Sequence, residues 1–127
     1  MTASRELPLV YSCSGCSSAA QMTNALALRL DREGEAEMSC VAGVGGGVPR
    51  LVRMARSQRP VIVLDGCHLT CARACLAREN ITPCLHRILS ETGVRKRYHQ
   101  DFDPEEADRV YRNLLLEVRL LREESID

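Results

Sequence analysis

Four short apolar runs frame the chain: residues 7–12 (LPLVYS), 36–39 (AEMS), 61–64 (VIVL) and 86–89 (HRIL). The third is continuously apolar and β-branched, the pattern of a strand buried on both faces. The first accommodates Pro8 near its start, where a strand tolerates proline. The second is short, and the fourth carries Arg87 inside it. Between the runs the apolar spacing changes from that of strands to that of helices. Met22, Ala25, Leu26 and Leu30 give a stripe on a helix capped by Ser17 or Ser18, running to about Arg32 and ended by Gly34. A helix opens at Pro49, favourable in a first turn, and reaches about Ser57. Residues 69–79 read as a third helix. Asp103-Pro104-Glu105-Glu106 combines an Asp N-cap, Pro at the first position and Glu at the third. The helix it starts runs to about Glu123.

Strand and helix therefore alternate along the whole chain. That order predicts an α/β fold: a small three-layer sandwich with a mostly parallel sheet of about four strands and helices on both faces. The length of 127 residues suits a single domain over 1–127. On the last helix, Ala107, Val110, Tyr111, Leu114, Val118 and Leu121 form one apolar face, widened by Leu115, Leu116 and Leu120. Such a face suits packing on the sheet, and it also offers a surface to a second copy or a partner protein.

Charge changes the picture only by exclusion. Seventeen basic residues balance seventeen acidic ones, which argues against nucleic acid as a partner. No apolar run approaches the ~20 residues that span a bilayer, so no membrane is expected either. No apolar leader stands at the N-terminus, and the expected location is the cytoplasm. In a reducing compartment, seven cysteines point to metal binding or thiol chemistry rather than to disulfides.

Position gives those cysteines meaning. Cys13, Cys40 and Cys67 each follow a predicted strand by one to three residues. In a parallel sheet all three strand ends face one edge, the edge at which ligands bind. Cys16 adds a fourth thiol through Cys-x-x-Cys spacing. Cys67, Cys71 and Cys75 recur every four residues, but eight helical residues span about 12 Å, so one metal ion cannot take both ends. Cys71 is then an extra ligand or a resolving thiol, Cys75 reads as core or as part of a polynuclear cluster, and Cys84, beside Pro83, is the least suited to metal. Helix N-termini favour thiolate, which serves metal binding and nucleophilic chemistry alike. Of His68, His86 and His99, His68 is best placed for a direct role. Asp65 at a strand end is suited to holding a turn by accepting backbone N–H bonds. The glycine-rich stretch 43–47 reads as a flexible turn at a helix entry; Gly45 and Gly46 there are candidates for cradling a cofactor anion.

The motifs Tyr11-Ser12-Cys13-Ser14-Gly15-Cys16, Ser39-Cys40-Val41-Ala42-Gly43 and Asp65-Gly66-Cys67-His68-Leu69-Thr70-Cys71 resemble those of the DGC-domain family, named after its Asp-Gly-Cys motif. The resemblance covers nearly the whole chain, through Val94-Arg95-Lys96. It implies a cysteine-type zinc-binding protein with Cys13, Cys16, Cys40 and Cys67 as ligands, and Cys71 also matching. His68 stands where the pattern has proline, and Cys84 lies outside it. Three chemistries remain from the residues: zinc held by thiolates, an iron–sulfur cluster on the same cysteines, and thiol-redox or sulfur-transfer catalysis by the Cys13/Cys16 pair.

Overall fold

Val61–Asp65 (β3) is buried at every position and forms the middle of the sheet. The computed structural model describes residues 6–126; residues 1–5, part of the stretch read above for a leader, lie outside them. β3 pairs with Leu9–Ser12 (β1) on one side and Leu85–Ile88 (β4) on the other. Glu37–Met38 (β2) pairs with β1 and closes the order β2-β1-β3-β4. Every pairing is parallel, so the sheet is wholly rather than mostly parallel. The chain reverses its direction of travel across the sheet between β1 and β3. That switch point opens a crevice at the carboxyl ends of the two strands.

Alternation along the strands builds two cores. Val10, Ile62 and Leu64 face the helices Ser18–Arg32 (α1) and Pro104–Ile126 (α5). Leu9, Tyr11, Val61 and Val63 face the opposite layer, made by Val41–Gly45 (α2), Pro49–Ala55 (α3) and Cys71–Ala77 (α4). Each fully buried Leu, Ile or Val contributes about 1.5–3 kcal/mol, so a one-residue register slip of β3 would exchange both cores at once. α1 begins as read: Ser17 caps it by accepting the Ala20 N–H at 3.1 Å. Gly34, at φ +73°, supplies the left-handed turn that ends it. Val110, Tyr111, Leu114 and Val118 of α5 join the first core, while Leu116 and Leu120 point outward. α5 extends past Glu123 to Ile126.

Two elements differ from the reading of the sequence. The stretch read as a flexible glycine turn is largely helical: α2 covers Val41–Gly45 and is capped by the Cys40 thiol. α4 is shorter than 69–79 because Thr70 takes a left-handed conformation, φ +48° and ψ +50°, and holds the preceding residues outside the helix.

Candidate functional site

Cys13 directly follows β1, and its N–H donates to the Leu64 carbonyl at 3.0 Å, continuing the ladder past the strand. Cys40 follows β2 by two residues, and Cys67 follows β3 by two. All three strands are parallel, so these cysteines share one edge of the sheet. Cys16 lies in the β1–α1 loop and Cys71 at the first turn of α4. Cys16, Cys40 and Cys71 are exposed; Cys13 and Cys67 are half-buried.

The Asp-Gly-Cys turn is built by three separate contacts. Asp65 is only 1% exposed. Its carboxylate accepts the Ala72 N–H at 2.8 Å and the Arg73 N–H at 3.3 Å, so it caps α4 in place of Thr70, which makes no side-chain cap bond. Its Oδ2 also lies 2.8 Å from His86 Nε2 on β4. Gly66 packs against the first turn of α1: a Cβ there would stand 2.9 Å from backbone atoms of Ala19 and Ala20. That approach aims the Gly66 N–H at Cys13 Sγ, 3.2 Å away. Cys67 in turn accepts from Lys96 Nζ at 3.4 Å.

Three thiols on this edge thus have an N–H donor directed at sulfur. Gly66 serves Cys13, Lys96 serves Cys67, and the Gly43 N–H serves Cys40 at 3.3 Å. Such donors match sulfur acting as an acceptor, as a thiolate does. Burial pushes the Cys13 thiol up from its ordinary range, and contacts with Thr23 and the Gly66 N–H oppose that rise. Thr23 Oγ1 lies 3.4 Å from Cys13 Sγ. The Lys96 ammonium is held above its usual range by Tyr98 first and Cys67 second.

Two buried hydroxyls border the edge: that of Ser12 has no hydrogen-bond partner among the described residues, and that of Tyr11 faces Ser39. Tyr11 is within electrostatic reach of Cys40, and Ser12 immediately precedes Cys13. The donor set is soft and grouped on one edge, which suits a thiophilic metal. As placed, however, no three Cys, His, Asp or Glu side chains among the described residues are close enough to hold one ion. A coordination shell would need the exposed side chains of Cys16, Cys40 or Cys71 to swing inward.

The remaining candidates have other surroundings. Burial pushes the Cys75 thiol up; its Sγ lies 2.8 Å from where a Cβ on Gly45 would stand. Cys84 is exposed at the start of β4, on the opposite edge, where it lines a cleft of about 730 Å³. Gly45 and Gly46 lie at the end of α2. The Gly46 N–H already donates to the Ala42 carbonyl at 2.9 Å. His68 is exposed, with Nδ1 3.9 Å from Glu91, and His99 is exposed too. Sequence reasoning missed Lys96 and the pairing of His86 with Asp65. The second follows from β3–β4 register, which sets Asp65 beside Ile88 and Val63 beside His86.

A family model described as the DGC domain matches residues 9–114. A curated relative, "Anaerobic and virulence modulator AnvM" of Pseudomonas aeruginosa, is 60% identical over 105 residues, covering 83% of this chain and 80% of the relative. No solved structure gives a significant match. The family match spans all four strands and every cysteine of the thiol edge, and with the identity to this relative it shows that the chain belongs to the DGC-domain family.

Proposed function

We propose that this protein is a cytoplasmic metal-binding protein whose ion, zinc, is held by cysteine thiolates at the carboxyl edge of the sheet. Cys13 and Cys67 form the fixed half of the site, since both sit on strand ends and both accept sulfur-directed donors. Cys16, Cys40 and Cys71 are the exposed thiols that complete it. The observation that carries this reading is the set of N–H donors on Cys13, Cys40 and Cys67, three cysteines remote in sequence and gathered on one edge. Bound zinc would supply a closed structural centre with four thiolates, or a Lewis acid with a position left for a ligand. The chain's own part is to present sulfur, keep one side of the site dry and donate to the sulfurs from Gly66, Gly43 and Lys96.

The test is metal content by variant. Cys67→Ser lowers the bound zinc per chain sharply, whereas Cys84→Ser, on the opposite edge, leaves it unchanged. Equal loss in both, or none in Cys67→Ser, sinks the assignment.

A second reading is thiol-redox or sulfur-transfer catalysis by the Cys13/Cys16 pair, with exposed Cys16 as the attacking thiol and half-buried Cys13 as its partner. The observation that favours it is the contrast between an exposed Cys16 and a half-buried Cys13 in one Cys-x-x-Cys pair. A Cys13–Cys16 disulfide formed by a mild oxidant in metal-free protein, and absent in Cys16→Ser, supports that reading.

A further inference from the structure

Of the five large apolar side chains exposed among the described residues, Leu116 and Leu120 lie on α5 and the other three lie near the thiols. Leu69 is 70% exposed, Tyr98 56% and Val48 45%. Leu69 lies two residues after Cys67, Val48 follows α2, and the Tyr98 ring lies 5.2 Å from Lys96 Nζ, which itself reaches Cys67. Large apolar groups are thus presented to solvent beside the thiols.

Cations share the same edge. Arg50 and Arg73 stand in the first turns of α3 and α4. Arg95 and Arg97 flank Lys96 in a loop pinned to the start of α1: the Arg97 N–H donates to Ser18 Oγ at 2.9 Å, and the Ser18 N–H to the Arg97 carbonyl at 2.8 Å. These four arginines are exposed and make no ion pair among the described residues. Elsewhere most arginines meet carboxylates, as Arg29 meets Asp108, Arg56 meets Glu79 and Arg119 meets Glu35, with Arg53 and Arg78 the exceptions among the described residues. Exposed carboxylates beside the thiols are Glu91, Asp101 and Asp103, and Asp101, Asp103 and Glu106 line the same small cavity as Arg95 and Arg97. Glu106 pairs with Arg109, which leaves Arg50, Arg73, Arg95, Lys96 and Arg97 in excess. A chain of zero net charge thus carries an excess of unpaired cations where its thiols are. The cavity beside Arg95 and Arg97 holds about 100 Å³, below the ~300 Å³ of small-molecule sites.

We propose that the thiol edge is a docking surface for an acidic protein segment bearing apolar side chains, with Leu69 and Tyr98 as anchors and Arg50, Arg73, Arg95 and Arg97 as its charged rim. Apolar anchors within a charged rim are the arrangement of a protein interface, and rim charges steer the partner and set salt dependence. A duplex would be met by phosphate contacts alone and would leave Leu69 unused. The inference stands apart from the metal reading, because none of these side chains is a proposed ligand.

The probe is a short fluorescein-labelled peptide of alternating Glu and Leu, followed by anisotropy with and without a zinc chelator. Its Lys/Leu counterpart and a labelled DNA duplex serve as comparisons. The acidic peptide binds, and added salt weakens it. The triple variant Arg73→Glu/Arg95→Glu/Arg97→Glu weakens it by about tenfold or more, and Leu69→Ser by several-fold. Arg78→Glu, at the far end of α4, alters it by less than about twofold. A circular dichroism spectrum and urea midpoint like the parent's establish that each variant folds, and Arg95→Glu alone replaces a triple variant that does not. No binding of the acidic peptide, equal binding of the Lys peptide, tighter binding of DNA, or indifference to Arg95→Glu each overturns the proposal. Loss of metal to the chelator with binding intact separates this surface from the metal site.

Discussion

Replacing Asp65 by alanine removes three contacts from one buried side chain. The carboxylate is 1% exposed and accepts from the Ala72 and Arg73 amides, and it pairs with His86, itself 20% exposed. Loss of an N-terminal helix cap costs about 1 kcal/mol. Loss of a hydrogen bond to a charged group costs about 1.5–3 kcal/mol, and the donors left behind are buried and unmatched. Removing the carboxylate also relieves its own desolvation, so the sum settles near 3 kcal/mol, the lower end for a broken buried pair. With a urea slope of about 1.5 kcal/mol per M, the unfolding midpoint falls by about 2 M at unchanged slope. Asp65→Asn is milder, about 1 kcal/mol, because its amide oxygen can keep the Ala72 bond while its NH₂ group meets the imidazole. Native-state hydrogen exchange supplies a local readout: the amides of Ala72 and Arg73 lose protection in Asp65→Ala before the strand amides do. A shift in stability below about 0.5 kcal/mol for Asp65→Ala, or equal effects of Ala and Asn, would refute this account of the turn.

Gly66→Ala forces a Cβ to 2.9 Å from the α1 backbone and should cost about 1–3 kcal/mol by urea denaturation, with the Cys13 contact loosened. In metal-free protein, mild alkylation followed by peptide mass mapping should label exposed Cys16, Cys40, Cys71 and Cys84 ahead of Cys13 and Cys75, whose thiols burial pushes up. Glu35 is held below the usual carboxylate range by Arg119 first, with Arg122 adding to it and burial opposing. Its contribution is therefore fully present above the ordinary glutamate range and is lost as pH falls through its lower folded value. Glu35→Gln should accordingly flatten the acid side of the stability profile in equilibrium unfolding.

Much of this architecture is legible in the residues. The run at 61–64 reads as a core strand because both faces of β3 are covered, and the Asp103-Pro104 start of α5 is a local signal that packing leaves alone. α2 was illegible because Gly43 and Gly45 oppose a helix by propensity. They are there for packing: a Cβ on Gly43 would collide with Leu51, and one on Gly45 with Cys75. Tertiary contacts decided that segment. The Asp65 carboxylate holding its turn was readable from its place at a strand end. His86 and Lys96 were not, since they reach Asp65 and Cys67 from 21 and 29 residues away. The strand-end cysteines are visible from spacing because parallel pairing collects them, but the N–H groups aimed at their sulfurs exist only once the sheet has formed.

The central claim is that the thiol edge holds zinc. The most direct test is to purify the protein anaerobically without added metal, and to measure metal and acid-labile sulfide per chain beside an absorption spectrum. The account predicts about one zinc per chain, no sulfide and no visible band. Iron with stoichiometric sulfide and a broad visible band, or protein that carries neither metal and takes up no zinc, would contradict it.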